Sequence, residues 1–167
     1  MIDRKLLRIF MQDHLAAATA GVELARRSQG ANRGTTYGDD LKRIADAIDD
    51  DRRTLEGMLT DLGFGPDRLK VAWAWAGEKV GRLKLNGQVR GYSPLSRVEE
   101  LEVLIGGISA KLSLWRVLLE VAEHEPRLDS EQLQRLIERG EEQRTRAEEL
   151  RTRAAHQAFL GPVASPS

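Results

Sequence analysis

Four long segments of this chain repeat an apolar residue every three to four positions, and that spacing leaves few folds open. It is the mark of an amphipathic helix. The first segment runs from about Asp3 to Ser28, with Leu7, Phe10, His14, Ala17, Gly21 and Leu24 along one seam. The second starts near Thr36 and carries Leu41, Ile44, Ile48, Asp51, Leu55, Met58 and Leu62. Gly63 and Gly65, followed by Pro66, form its stop signal. The third opens at "SPLSRVEELE" and follows Val98, Leu101, Ile105, Ile108, Leu112, Trp115, Leu119 and Ala122 up to Pro126. Its cap is either Ser96, with Glu99 three residues later, or Ser93, with Pro94 at the first helical position. The fourth is capped by Asp129 or Ser130 and follows Leu133, Leu136, Gly140, Gln143, Ala147, Leu150 and Ala154.

The links between these segments suggest how they are joined. The first, "QGANRGTTYGDD", and the one after Pro126 are short, and short links favour antiparallel neighbours. The middle link, from Gly63 to Leu95, is about thirty residues long. Within it, "DRLKVAWAWAGEKVGRLKL" reads as a further short helix, with Trp73, Ala76, Val80 and Leu83 on one face. The expected fold is therefore all-α: an antiparallel four-helix bundle with a long crossover. A single domain over residues 1–160 is expected, followed by a disordered tail over 161–167, where "GPVASPS" is small and Pro-rich.

Composition narrows the function classes. The chain has 167 residues, enough for one well-buried domain. Lys plus Arg balances Asp plus Glu, 26 against 26, so the basic field of a nucleic-acid or anionic-membrane binder is missing. There is no cysteine, which removes disulfides, thiolate metal sites and Cys nucleophiles and makes the reducing cytoplasm the expected location. The apolar part of the N-terminus is broken by Asp3, Arg8 and Asp13, unlike a signal peptide. Runs such as "VLIGGISA" are far shorter than the roughly 20 residues that span a bilayer. There is no Walker-type phosphate loop and no G-x-S-x-G elbow.

Helix order, the position of the crossover, and stretches such as "LRIFMQDHLAAA" and "TLEGMLTDLGF" resemble ferritin-like four-helix bundles, closest to their bacterial stress-protein branch. The resemblance covers about residues 3–158. It implies a bundle built around a dimetal centre, in which two helices each give a carboxylate and two each give Glu-x-x-His. The ligand pattern is broken here. None of His14, His124 and His156 stands three residues after an acid. The resemblance places Asp51 where a ligand histidine would stand, Ile48 in place of its partner glutamate, and Asp13 near a glutamate position. Glu141, Glu142 and Glu148 have no histidine beside them.

The stretch "DAIDDDRRTLEGM" concentrates four aspartates, and helical geometry separates them. Asp46, Asp49, Arg53 and Glu56 form a stripe opposite the seam and are expected to face water, with Asp50 beside them. Asp51 falls on the seam between Ile48 and Leu55 and therefore needs a partner. His14 and Gln143, with Arg144 beside it, interrupt their own seams at similar height. A central polar layer of His14, Asp51, Gln143 and Arg144 is expected. Three readings stand. The layer is a cluster that fixes helix register, or Asp51 turns outward, or the layer binds a metal or small ligand. The metal reading would use Asp13, His14, Asp51, Glu102 and Glu142, a thin ligand set. Trp73 and Trp75 are candidates for a pocket or interface, or for simple packing. Gly106 and Gly107 suggest a close helix contact or a kink, and Gly21 and Gly140, on their seams, suggest close helix approach.

The leading expectation is a non-enzymatic bundle without a complete dimetal centre. It would use no cofactor and act as a binding, structural or stress-accessory protein, as a homodimer or with a protein partner. A divergent iron, manganese or zinc protein is the first alternative. A small-ligand binder using the Trp-containing crossover is the second.

Overall fold

The computed structural model describes residues 2–65 and 92–160. The described residues form an all-α bundle of four helices: α1 (Arg4–Ala31), α2 (Gly38–Asp61), α3 (Pro94–Ala122) and α4 (Ser130–Phe159). The short helix expected in the crossover, Trp73, Trp75 and the tail lie outside the described residues.

Local chemistry sets the helix ends. Asp3 caps α1 by accepting from the Lys5 and Leu6 amides, each at 3.0 Å. Asp129 caps α4 by accepting from Glu131 at 2.9 Å and Gln132 at 3.1 Å. For α3, Ser93 is the cap, with Pro94 opening the helix. The Ser96 amide donates to Ser93 Oγ at 3.1 Å and the Ser93 amide to Ser96 Oγ at 3.4 Å. Glu99 takes no part in that exchange. The end of α2 is a Schellman turn: the Phe64 amide donates to the Leu59 carbonyl and the Gly63 amide to the Thr60 carbonyl, both at 2.9 Å. Gly63 holds a φ of 70°, which a side chain would oppose.

Long-range contacts tie particular helix ends together. Arg4, at the start of α1, donates to the Leu62 carbonyl at the end of α2 (2.6 Å) and to Glu125 beyond α3 (2.8 Å). Arg127 also grips Glu125, through two bonds of 2.8 Å. At the other extreme, the buried Arg97 of α3 donates to Asn32 after α1 (2.6 Å) and to Gln157 late in α4 (3.0 Å). Its guanidinium lies 4.1 Å from the Tyr37 ring centre, within cation–π range. Arg153 of α4 reaches Asp40 in the first turn of α2 at 2.7 Å.

Among the described residues, apolar side chains pack in two clusters. One gathers Val22, Ala25, Leu41, Ile44, Ile48, Leu101, Ile108, Ala147 and Leu150. The other gathers Met11, Leu15, Leu55, Leu62, Trp115, Leu118, Leu133 and Leu136. Asp51 lies between Ile48 and Leu55, and Gln143 between Leu136 and Ala147, so a polar layer separates the clusters. The Leu112 side chain of α3 packs so closely over Gly140 of α4 that a Cβ there would stand 2.6 Å from Leu112 Cδ2. At Gly21 an added Cβ would only touch Ile48, at 3.8 Å. Of the two explanations for Gly106 and Gly107, the close contact is not made: a Cβ there meets nothing among the described residues.

The α1 seam is displaced from the one the sequence suggests. Met11, Leu15, Val22 and Ala25 are buried with Leu7 and Leu24, while Ala17 is exposed. After Leu15, "AAATAG" is small on every side and cannot mark one face by size. No helix among the described residues is long and apolar enough to cross a membrane.

Candidate functional site: a buried ion-pair layer and the cavity beside it

Asp51 sits mid-way along α2, with its side chain 1% exposed. Three donors from two other helices converge on it. Lys111 Nζ of α3 and the Arg139 guanidinium of α4 pair with its two carboxylate oxygens. Gln143 Nε2 of α4 donates to Oδ2 at 3.0 Å. Lys111 also donates to Gln143 Oε1, so carboxylate, ammonium and amide form one closed network. Burial pushes the Lys111 ammonium below its usual pKa, the Asp51 charge opposes that shift, and Arg139 adds to it. Arg139 remains partly in water, its side chain 44% exposed.

This layer keeps two of its expected members and changes the other two. Asp51 and Gln143 meet as expected. Arg144 does not join them; it pairs with Glu141 on its own helix at 2.6 Å. Arg139 takes its place because it lies one turn before Gln143, on the same face. His14 makes no hydrogen bond to Asp51. It is half-buried and stacks edge-on against Phe10, ring centres 4.7 Å apart. Burial lowers the pKa of its imidazole, opposed by the neighbouring Asp13 charge. Lys111 was not among the expected members, yet the sequence marks it. It is the sole charged residue between Glu102 and Arg116, on a helix apolar around its whole circumference.

The possible metal ligands are scattered. Glu102 and Glu142 are exposed, 3.8 Å from Arg151 and 3.6 Å from Arg146 respectively. Asp13 is exposed too. Among the described residues, no three His, Asp or Glu side chains come together as a metal could require. Asp51 itself spends both oxygens on cations and an amide.

Asp49 departs from the expectation that it faces water. It is 5% exposed and held by Arg26 (2.7 Å), Arg52 (3.0 Å) and Arg53 (2.7 Å). Burial alone would raise its pKa, but the Arg52 hydrogen bond and the charges of Arg53, Arg52 and Arg26 outweigh it and lower the value. Its counterparts behave as expected: Asp46 is exposed and pairs with Lys42 at 2.6 Å, and Asp50 stands exposed beside Arg53 at 3.6 Å.

A cavity of about 300 Å³ opens beside the polar layer, between α1, α2 and α3. Ala17, Gly21, Ile48, Gly107, Leu114 and Trp115 contribute to walls that are mostly apolar. His14, Asp51 and Lys111 supply polar atoms along one side. Trp115 is 1% exposed, and its Nε1–H meets no acceptor among the described residues.

No protein-family model matches this chain, and no curated protein or solved structure is significantly similar to it.

Proposed function

We propose that this protein is a non-enzymatic binding or structural helical bundle in which an internal ion-pair layer stands where ferritin-like proteins carry metal. The observation that supports this most directly is the saturation of Asp51. Lys111, Arg139 and Gln143 already satisfy its carboxylate, so it has little left to offer an ion. A cation entering there would meet two fixed positive charges at close range.

The proposal includes the finer fold: antiparallel neighbours, with the end of α2 and the start of α3 at opposite ends of the bundle. Its support is the pairing of helix ends through Arg4, Arg97 and Arg153. In this reading the layer fixes helix register, as a buried polar residue does in coiled coils. The protein then acts by holding a ligand or a partner, as a monomer or a homodimer.

Elemental analysis of protein purified without added chelator tests the proposal. The expected content of iron, manganese and zinc is below about one atom in ten chains. None of these ions should raise the thermal midpoint, because binding to the native state alone must stabilise it. Stoichiometric metal together with a raised midpoint would overturn the reading.

A further inference from the structure

We propose that the outward face of α1 and α3 is a two-fold contact surface for a second copy of this chain, with Ala110 on the axis. This goes beyond the ion-pair reading, which leaves open whether the chain pairs.

The face is apolar and open. Val103, Gly106, Ala110, Ser113 and Val117 follow one line of α3 at spacings of three and four residues, and all are exposed. None carries a charge. Val103 is 40% exposed and Val117 44%. Beside this line the open cavity between α1, α2 and α3 continues the apolar surface across to α1, where Ala17 is exposed as well. A contiguous apolar face marks an interaction site, whereas single exposed apolar residues do not.

Gly106 lacks an internal reason. It stands inside α3, where glycine is a poor helix former. A Cβ on it would meet nothing among the described residues, so no contact within the bundle accounts for the missing side chain. A second helix laid along the line would account for it. Small residues at a helix contact let the two backbones come close.

Symmetry identifies the occupant. A two-fold contact must fit itself, so that where one residue meets another the reverse pair also meets. The line does this about Ala110. Val103 and Val117 lie equally far to either side, about 10 Å at 1.5 Å per residue. An antiparallel copy turned about Ala110 sets Val103 of each chain beside Val117 of the other. It brings the two Ala110 methyls together and lays Gly106 near Ser113. Large side chains meet at the ends and small ones at the centre. An unrelated partner has no reason to share that symmetry.

The area is sufficient. Ala110 and Ala17 lie near the middles of α3 and α1, so two copies overlap along most of both helices. A face two helices wide, about 20 Å, and about 35 Å long gives roughly 700 Å² per copy. A standard stable interface takes about 800 Å² from each partner.

The chain has no cysteine, so introduced cysteines report the geometry without background. Sedimentation equilibrium of the wild type should give twice the chain mass at micromolar concentration. Its thermal midpoint should rise with protein concentration. Ala110→Cys should form a disulfide-linked dimer on mild oxidation, because its two thiols face each other across the axis. Val103→Cys alone should not, since the two copies of that position stand about 20 Å apart. The double variant Val103→Cys, Val117→Cys should crosslink again. Ala110→Arg should be a folded monomer, because it sets two like charges together on the axis. If Ala110→Arg does not fold, the cysteine variants decide. A wild-type monomer at every concentration overturns the proposal, as does a dimer that a folded Ala110→Arg leaves intact. Crosslinking of Val103→Cys alone as readily as Ala110→Cys overturns it too. In a monomer, protection of the Ala110→Cys thiol from alkylation would give the face to residues 66–91 instead, and rapid alkylation would leave it bare. Metal content does not enter these measurements, so this proposal and the ion-pair reading fail separately.

Discussion

Asp51 and Lys111 illustrate how one buried charge obliges another. Removing one member of a buried pair leaves the other uncompensated, which typically costs about 3–5 kcal/mol. Asp51→Ala should therefore destabilise the protein by about that amount in urea unfolding, with Lys111 stranded among apolar neighbours. A loss under about 1 kcal/mol would mean that Lys111 escapes to water. Asp49 makes a separate prediction about pH. Its carboxyl is held below the usual range, so its contribution is complete above the unfolded carboxylate pKa of about 4 and fades as pH falls below that. The stability gap between wild type and Asp49→Asn should shrink on acidification from pH 5 to pH 2. A gap that is constant with pH would show that the three arginines contribute nothing through charge. Of these residues the sequence revealed Asp51 plainly, because an acid interrupts a clean apolar seam. It hid Asp49, because burial there comes from arginines folded over the helix surface, and apolar periodicity carries no trace of that.

At the scale of the helix, legibility followed side-chain contrast. Every seam residue read for α2 and α4 is buried, Gly140 and Gln143 included. Those helices alternate large apolar groups with charges, so only one face can be turned inward. α3 is apolar all round, and its inward face includes Leu104, Leu114 and Leu118, where Ile105 and Leu119 were expected and are only partly buried. The start of α3 was legible as a choice between two serines, and proline chemistry favours Ser93. Ser93→Ala should cost about 1 kcal/mol through loss of the cap. Two glycines give a sharper contrast. Gly107→Ala should stabilise by about 0.5–1 kcal/mol, since its surroundings are open and helix propensity improves. Gly140→Ala should destabilise despite the same gain, because its methyl would run into Leu112. Thermal midpoints of the two variants moving in the same direction would contradict the tight packing of Leu112 on Gly140.

At the scale of the bundle, the core among the described residues is two apolar clusters divided by one polar storey. Replacing buried ionic groups with apolar residues of similar volume is often neutral or stabilising, by about 1–4 kcal/mol. The triple change Asp51→Leu, Lys111→Met, Gln143→Leu should accordingly match or exceed wild-type stability. What it should lose is definition. If the layer fixes register, the amide NMR spectrum of the triple variant should show doubled or broadened resonances near Ile48 and Ala147. A single sharp set would leave the layer no part in register. The all-α bundle was legible in the sequence because periodicity and caps act locally. The closure of the ion-pair layer was not, because it depends on which faces of three helices coincide at one height.

The closed network also bears on how such a chain can change over generations. Asp51 and Lys111 sit on different helices, 60 positions apart in sequence, yet neither can be replaced first without passing through a destabilised form. Only a simultaneous exchange, or a prior reserve of stability elsewhere, opens the route to an apolar core. Among descendants of this chain the two residues should be kept together or lost together, and intermediates with one alone should be scarce.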